Sequence, residues 1–522
     1  MAAELRPDGY APQGVVAVIG FMGAGKSTAA ASVARALGAY AVDVDSVIEE
    51  RFGKPIERIF AEDGEAAFRA AEEELTLELL GAGRDEAPRV VALGGGAVGS
   101  AAIRAALADH LVVWIEIDVE TAWARCRGSG RPLASDRPAF ERLHAEREPL
   151  YDQLADIVVP HERSHRLSQV LQAAEGLDPT ARLLWAASAS GDYPVYIGPG
   201  LLGPEPFWPV AVGGRRFLVT DGRVARLYGE RLAPFSGQAM VMPGEQSKTI
   251  AHAEIVWSEL ARAGMTRADV VVALGGGVVG DLAGFCAATY QRGVRYVQVP
   301  TTLVAQVDSA YGGKTGVDLE EAKNYVGAYH QPQAVIADPQ VLSSLEPEEL
   351  AAGYAEVVKT ALIAGGPLWE LVRGGTDPTD PQVIAACART KLRIVARDER
   401  DEGVRQVLNL GHTVGHAIET VTGYATYRHG EAVALGLLAA LRLSGNDALR
   451  DEVADLFQTR HLPTRLDEKV DADAVVMATA RDKKRVGEGA VPFVLLPEPG
   501  RPQPGSAVAP RDLIAAVREL AS

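Results

Sequence analysis

The sequence predicts an α/β chain in two parts with a helical tail: two stretches of parallel, helix-covered sheet, then a mostly α-helical segment. Three observations carry this. Short Val/Ile/Ala runs alternate with longer helical patterns near residues 15–170 and again over 192–345, which is how strands joined by crossover helices read. One strand in each part ends in nearly the same glycine cluster, VALGGGAVG at Val91–Gly99 and VALGGGVVG at Val272–Gly280. After about Leu345 strands nearly vanish until VPFVLLPEPG, and helical periodicity takes over.

At 522 residues the chain exceeds one ordinary core, so two or three domains follow. The pattern divides at 1–175, a linker over 176–191, 192–345 and 346–522. A net charge of −17 argues against a nucleic-acid-binding surface, so anions must be held by local basic clusters. Cys126, Cys286 and Cys387 lack C-x-x-C spacing, which implies no disulfide framework and suits a reducing cytosol. No signal peptide is read in MAAELRPDGYAPQG. No run of about 18 apolar residues is present, so neither a membrane nor a nucleic acid is expected as a partner.

The first part carries GFMGAGKST, Gly20–Thr28, directly after the strand VVAVIG and before a helical pattern. That is the context of a P-loop, whose backbone amides wrap phosphates at a helix N-terminus. Gly23, Ala24, Gly25, Lys26, Ser27 and Thr28 are its nucleotide-binding residues. Lys26 reaches the β- and γ-phosphates, and Ser27 holds magnesium. The acceptor must be read elsewhere. YAVDVDSVIEE ends a second strand with Asp43 and Asp45 on one side of an extended segment, one for the outer magnesium shell and one for a substrate hydroxyl. Alone, such acids are more often an N-cap and a solvated charge. Arg69 and Arg147 lie on helical patterns, and Arg131 lies in the flexible GSGRPL expected of a lid over ATP.

Taken together, GFMGAGKST, VDVDSVIEE, IFAEDGEAAFRAAE, VVALGGG, RPL and EREPLY, in that order over residues 15–170, resemble shikimate kinase. The resemblance implies that Asp45, Arg69, Gly94, Gly95, Gly96 and Arg147 bind shikimate, that Asp45 orients the attacking hydroxyl, and that Arg131 covers the ATP phosphates.

The second glycine cluster runs strand, Gly275–Gly280, Asp281, helix. A lone G-x-G-x-x-G is weak, but VTDG adds Asp221 after a strand, where an adenosine ribose is held. Further on, AAGYAEVVKTAL carries Glu356 and Lys359, LNLGHTVGHAIE sets His412 and His416 at i, i+4, and YRHGEAVALG adds His429. One glutamate and two histidines with an open position form a catalytic zinc pattern.

From Tyr193 to Leu496 the chain resembles 3-dehydroquinate synthase, through PGEQSK, GGGVVGD, ATYQRG, PTTLVAQVDSAYGGKTGV, KNYVGAYHQP, AEVVK, RDERDEGVRQVLNLGHTVGHAIE, HGEAVALG and DKKRVGEGAVPFVLL. The resemblance gives zinc, or another divalent ion such as cobalt, to Glu356, His412 and His429, leaving His416 facing substrate. It lays NAD along Asp221, Pro243, Gly244, Glu245, Gln246, Ser247, Lys248, Gly277, Val278, Val279, Gly280, Asp281, Thr301, Thr302, Lys314 and Lys323. It brings Arg292, Lys314, Lys359, Lys391, Arg405, Asn409, His416 and one of Lys483 and Lys484 to substrate, with Asp308 among them. Ala322, before Lys323, departs from the glycine the family prefers.

The expected architecture is thus an α/β P-loop kinase domain, an α/β NAD-binding domain and a mostly α-helical metal-binding domain. The expected function is bifunctional: ATP- and magnesium-dependent 3-phosphorylation of shikimate, and NAD- and zinc-dependent conversion of 3-deoxy-D-arabino-heptulosonate 7-phosphate to 3-dehydroquinate. A homodimer through the second half is a family-level expectation. The rival for the second half is a polyol dehydrogenase, which would accumulate NADH. For the first it is gluconate or nucleotide phosphorylation, disfavoured by the two carboxylate-pairing arginines.

Overall fold

The computed structural model describes residues 15–81, 89–128, 132–320, 323–479 and 492–521. It divides into two compact units. The first runs to Ala186, with Pro194–Tyr196 and Phe207–Ala211; the second comprises Ala187–Tyr193, Ile197–Pro206 and Val212 onward.

The first unit is built on parallel strands β1 (Val16–Ile19), β2 (Tyr40–Asp43), β3 (Arg89–Ala92), β4 (Leu111–Glu116), β5 (Ile157–Pro160) and β6 (Arg182–Ala186), ordered β2-β3-β1-β4-β5-β6. β1 is apolar throughout and buried, as a central parallel strand covered on both faces must be. Its neighbours lead away in opposite directions, so the crevice beyond its C-terminal end is where such sheets take ligands. The Gly20–Gly25 turn stands there, ahead of the helix Lys26–Leu37.

β6 corrects the expected linker. Residues 176–191 were expected as a connection, yet Leu183 and Leu184 pair in register with Ile157 and Val158 and are buried. The run LLWAA is short, but its apolar side chains are worth more inside a sheet than in solvent.

The strand β7 (Tyr193–Ile197) has its Pro194–Tyr196 core in the first unit, and the second unit carries β8 (Arg216–Asp221), β9 (Gly237–Val241), β10 (Val270–Gly275), β11 (Arg295–Pro300), β12 (Lys314–Val317), β13 (Val326–Tyr329) and β14 (Ala334–Ala337). A parallel sheet has the order β9-β8-β10-β11-β14, and β12 and β13 form an antiparallel hairpin. Phe217, Val219, Val256, Leu282 and Tyr296 belong to its buried core. The strand order reverses between β8 and β10, whose ends carry Asp221 and Gly275.

From Pro347 onward helices take over, apart from a hairpin of β15 (Pro492–Leu495) and β16 (Gln503–Ala507). Three helices position the chemistry: Pro347–Ala364, His412–Val421 and His429–Leu443. Glycines set how closely they approach. A Cβ on Gly430 would overlap the Ala352 carbonyl, and one on Gly436 would overlap the Gly411 carbonyl. Among the described residues no helix is long and apolar enough to cross a membrane.

Leu183→Ala in the full chain should lower the stability of the first unit by about 2–5 kcal/mol, the cost of truncating a fully buried leucine. Urea unfolding followed through the first unit's activity checks it; an unshifted midpoint would return the segment to linker status.

Candidate functional sites

In the first unit the P-loop turn takes left-handed backbone at Gly23 and Gly25, where side chains are strained. Gly25 caps the helix Lys26–Leu37 without a side-chain bond, so the first amides stay available for phosphate. Lys26 Nζ rests 3.3 Å from the Phe21 carbonyl, and Ser27 and Thr28 are exposed at the helix start.

The glycine cluster after β3 packs against this turn: a Cβ on Gly95 would lie 3.3 Å from the Met22 amide nitrogen. Around it converge the acceptor residues. Arg147 donates to the Gly95 carbonyl at 3.0 Å. Arg69 lies against Gly96, where a Cβ would overlap its guanidinium, and Asp45 against Gly94, where a Cβ would fall 2.8 Å from its carboxylate. The glycines let two guanidinium groups and two carboxylates close on the backbone, because a Cβ would displace Arg69 at Gly96 and Glu72 or Asp45 at Gly94.

Two expectations change here. Asp43 ends β2, but Asp45 lies in the first turn of the helix Val44–Phe52, and Asp43 caps that helix by accepting from the Ser46 amide at 3.3 Å. The two carboxylates do not share an extended strand. Arg131 lies outside the described residues.

Sequence reasoning missed Glu72 and Tyr151. Glu72 is 2% exposed and binds Arg69 Nη1 at 2.6 Å. Burial pushes its carboxyl up despite the Arg69 and Arg147 charges, and Asp45 adds to the rise. In FRAAEEE it reads as one of three solvated acids; its i+3 spacing from Arg69 was the available signal. Tyr151 is buried and donates to the Gly95 carbonyl at 2.5 Å.

In the second unit a cavity of 1210 Å³ has Asp221, Lys248, Gly277 and Asp281 on its wall, together with Glu356 and His429. The helix Gly277–Thr289 starts directly after β10, and its N-cap Gly276 supplies no side-chain bond. The corresponding helix after the first cluster starts only at Ala101, behind a 3₁₀ turn, and its amide is capped by Ser100. Only the second cluster therefore offers a free helix N-terminus. Asp221 accepts from the Arg223 and Val224 amides at 2.8 and 3.0 Å while lining the cavity. Lys248 binds Asp281 at 2.6 Å and Glu245 at 3.7 Å. Burial lowers its affinity for a proton, but the two carboxylates outweigh that and raise it.

The metal-type cluster forms as expected. Glu356 Oε1 lies 3.6 Å from His412 Nε2 and 3.4 Å from His429 Nε2. The opposite ring nitrogens have their own acceptors: His412 Nδ1 faces the Leu410 carbonyl at 3.2 Å and His429 Nδ1 faces Glu419 at 3.4 Å. With those nitrogens protonated, both Nε2 atoms turn toward Glu356 and, without a proton of their own, offer the donor set a divalent ion requires. Burial would lower the His429 pKa, but bonds to Glu356 and Glu419 hold it at about 10 in the absence of an ion.

Behind the cluster Lys359 binds Glu356 at 2.5 Å and lies 3.7 Å from Asp308, which Lys391 approaches at 3.0 Å. Asp308 sits on a short π-helical turn, Ala305–Ser309, a device frequent at functional sites. Burial pulls Lys391 down to about 8 against the opposing Asp308 charge.

Pro243, Gly244, Val278, Val279, Thr302, Lys323 and His416 also line the cavity. Thr301 is buried at the end of β11, and Asn409 donates to the Gln406 carbonyl. Several expected ligands do other work. Ser247 is fully buried and donates to the Met242 carbonyl, and Gln246 turns back to Pro243. Gly280 provides room for Gln298 in the helix–sheet packing. Lys314 is half exposed and paired with Asp401 at 2.6 Å, and Arg405 donates to the Glu399 and Gly312 carbonyls. Arg292 is exposed beyond the far end of the helix Gly277–Thr289, about 20 Å from Gly277 at 1.5 Å per residue, so it does not join this cluster. Lys483 and Lys484 lie outside the described residues. Glu419 was missed, because HAIET reads as an ordinary helix end.

The first site is thus that of a P-loop phosphotransferase for a small hydroxy acid, and the second joins a divalent-metal donor set to a dinucleotide-type helix N-terminus. Comparison with known proteins agrees. Residues 22–176 match the shikimate kinase family, 238–352 the 3-dehydroquinate synthase N-terminal family and 353–485 its C-terminal family. A 3-dehydroquinate synthase of Symbiobacterium thermophilum is 44% identical over 331 residues, covering 59% of this chain and 92% of the relative. One of Nitrobacter winogradskyi is 43% identical, covering 63% and 94%. Among solved structures, a 2-deoxy-scyllo-inosose synthase complexed with carbaglucose-6-phosphate, NAD+ and Co2+ gives a TM-score of 0.58 at 25% identity, covering 65% of this chain and 99% of that one. A 2-epi-5-epi-valiolone synthase from Streptomyces hygroscopicus with NAD+ and Zn2+ bound gives 0.57 at 28% identity, covering 63% and 96%. The chain belongs to the 3-dehydroquinate synthase family and carries a shikimate kinase domain ahead of it, a bifunctional enzyme of the shikimate pathway.

Gly430→Ala should force the His429 helix away from Ala352, one turn before Glu356. Cobalt or zinc affinity of the second unit should fall more than tenfold while the first unit's kinase activity in the same sample is unchanged. Unaltered metal affinity would show that this approach does not set the ligand spacing.

Proposed function

We propose that the first unit transfers the γ-phosphoryl group of magnesium ATP to the 3-hydroxyl of shikimate, and that the second converts 3-deoxy-D-arabino-heptulosonate 7-phosphate to 3-dehydroquinate and phosphate with NAD and zinc or cobalt. The observation that carries the second reading is Glu356, His412 and His429 grouped around one point, with Glu356 and His429 on the wall of the cavity that receives the Gly277 helix N-terminus. The first is supported by Arg69, Arg147 and Asp45 around glycines that pack on the P-loop.

In the kinase, Lys26 and the turn amides would hold the phosphates, Ser27 would hold magnesium and Asp43 would support its outer shell. Arg69 and Arg147 pair the acceptor carboxylate, and Asp45 orients the hydroxyl and accepts its hydrogen bond. Glu72 and Tyr151 hold Arg69 and the Gly95 carbonyl in place.

In the synthase, bound NAD supplies a reversible hydride acceptor and the bound divalent ion supplies Lewis acidity at a substrate hydroxyl. The residues do the rest. Lys359 and Lys391 present ammonium groups to substrate oxyanions, and Asp308 holds both in register. His416 faces the same cavity and can relay a proton. Asp221, Gly277, Val278, Val279 and Lys323, which line the cavity, would hold the dinucleotide. A cytosolic setting is supported by three cysteines that are all free and buried.

Mass spectrometry of products from the whole chain, given both substrate sets, tests the reading. Dehydroquinate and shikimate 3-phosphate should form with NAD unchanged. Lys26→Met should lower only the kinase reaction and Glu356→Gln only the synthase, each by about a hundredfold or more, the scale for losing one group that stabilises transition-state charge. NADH accumulation would move the second unit to the dehydrogenases, and a silent kinase with shikimate would point to another acceptor.

Lys391 supplies a pH test. A group with its pKa near 8 loses its positive charge as pH rises through that value, so affinity for the phosphorylated substrate should fall above pH 8. Lys391→Arg keeps its charge and should hold KM flat to higher pH. Parallel KM profiles for the two proteins would remove Lys391 from oxyanion binding.

A further inference from the structure

Glu419, on the helix His412–Val421, is 3% exposed, and neither of its oxygens faces water alone. Oε2 lies 3.4 Å from His429 Nδ1, and His429 Nε2 turns toward Glu356. Oε1 lies 3.4 Å from Lys323 Nζ, and the same ammonium stands 4.1 Å over the Tyr424 ring. Lys323 lines the cavity that holds the helix N-terminus. One buried carboxylate therefore touches a metal-type ligand with one oxygen and a cavity-facing cation with the other.

We propose that Glu419 is the positioning residue of the metal centre and the element that couples it to the dinucleotide: it fixes the His429 ring through Nδ1–H and shares its charge with Lys323, so that each ligand strengthens the other. This rests on the metal and dinucleotide reading above.

A carboxylate accepting from the non-ligating nitrogen fixes the tautomer and raises the basicity of the ligating one, and loss of such a partner typically costs 10–100-fold in metal affinity. How basic it makes the ring depends on how much of its charge is neutralised elsewhere. With the cavity open, Lys323 neutralises part of it. A pyrophosphate attracts Lys323, so more of the Glu419 charge falls on His429 and the ion is held more firmly. Linkage requires the same factor in the reverse direction.

The test is equilibrium binding on the full chain, with no turnover: cobalt affinity by chelator competition with and without saturating NAD, and NAD affinity by calorimetry with and without cobalt. In the wild type each ligand should tighten the other by the same factor, about fivefold or more. Glu419→Ala should weaken cobalt by about 10–100-fold and bring the mutual factor to one. Glu419→Gln, which can still accept from Nδ1–H, should weaken cobalt less but also lose the coupling. Lys323→Met should bind cobalt without NAD at least as tightly as the wild type does with NAD. Melting of each metal-free variant near the wild-type temperature confirms that it is folded.

Wild-type affinities in the Glu419 variants, or a factor of one in the wild type, would overturn the proposal. So would two cobalt ions per chain with one lost in Glu419→Ala, because His416, Glu419 and His429 also present ligand atoms within 4.8 Å, and that result makes Glu419 a ligand. A wild type that binds neither cobalt nor NAD would instead refute the reading of the site itself.

Discussion

The second unit depends on a buried carboxylate that is never left alone. Glu356 is 1% exposed, and an ionised carboxylate in such a place is costly unless charges and hydrogen-bond donors surround it. Burial alone would raise its pKa, but Lys359 and the two histidines hold it far below the ordinary range. The same requirement propagates outward. Lys359 is itself buried and shares Asp308, which in turn holds Lys391. What results is an alternation of cations and anions beside a cavity that Asp308 and Glu356 line, each tolerable because of the next.

The first unit meets the same constraint on a smaller scale. Glu72 stands among Arg69 and Arg147 beside the glycine cluster, with Asp45 nearby. In both units an acidic chain buries cations together with carboxylates, so local positive charge is available without an exposed basic surface. That is why a net charge of −17 is compatible with phosphate chemistry at two sites.

The two VALGGG strings show how little a string decides. Both follow a strand at the crevice of a parallel sheet. After the first, the chain makes a 3₁₀ turn and a serine cap consumes the helix amide, so the glycines serve as space for Arg69, Glu72 and Asp45 to close on the backbone. After the second, the helix begins at once with no side-chain cap, so its amides face the cavity.

Much of this was legible in the residues. Lys26 followed by Ser27 after a glycine turn, the His412–His416 spacing, and the switch from alternating strands to helices at Pro347 all depend on local geometry, which sequence periodicity carries directly. The sequence determined which side chains are available for phosphate, metal and dinucleotide, and roughly on which elements they stand. Tertiary structure decided which of them meet. It set Arg292 beyond the far end of a helix, bonded Ser247 and Arg405 to backbone carbonyls and gave Asp43 a helix to cap. It also turned residues 182–186 into a sheet strand and brought in Glu72 and Glu419 from positions that read as solvated. The reason is that burial, and with it the need for a charged partner, is a property of the packed neighbours of a residue, which lie far from it along the chain.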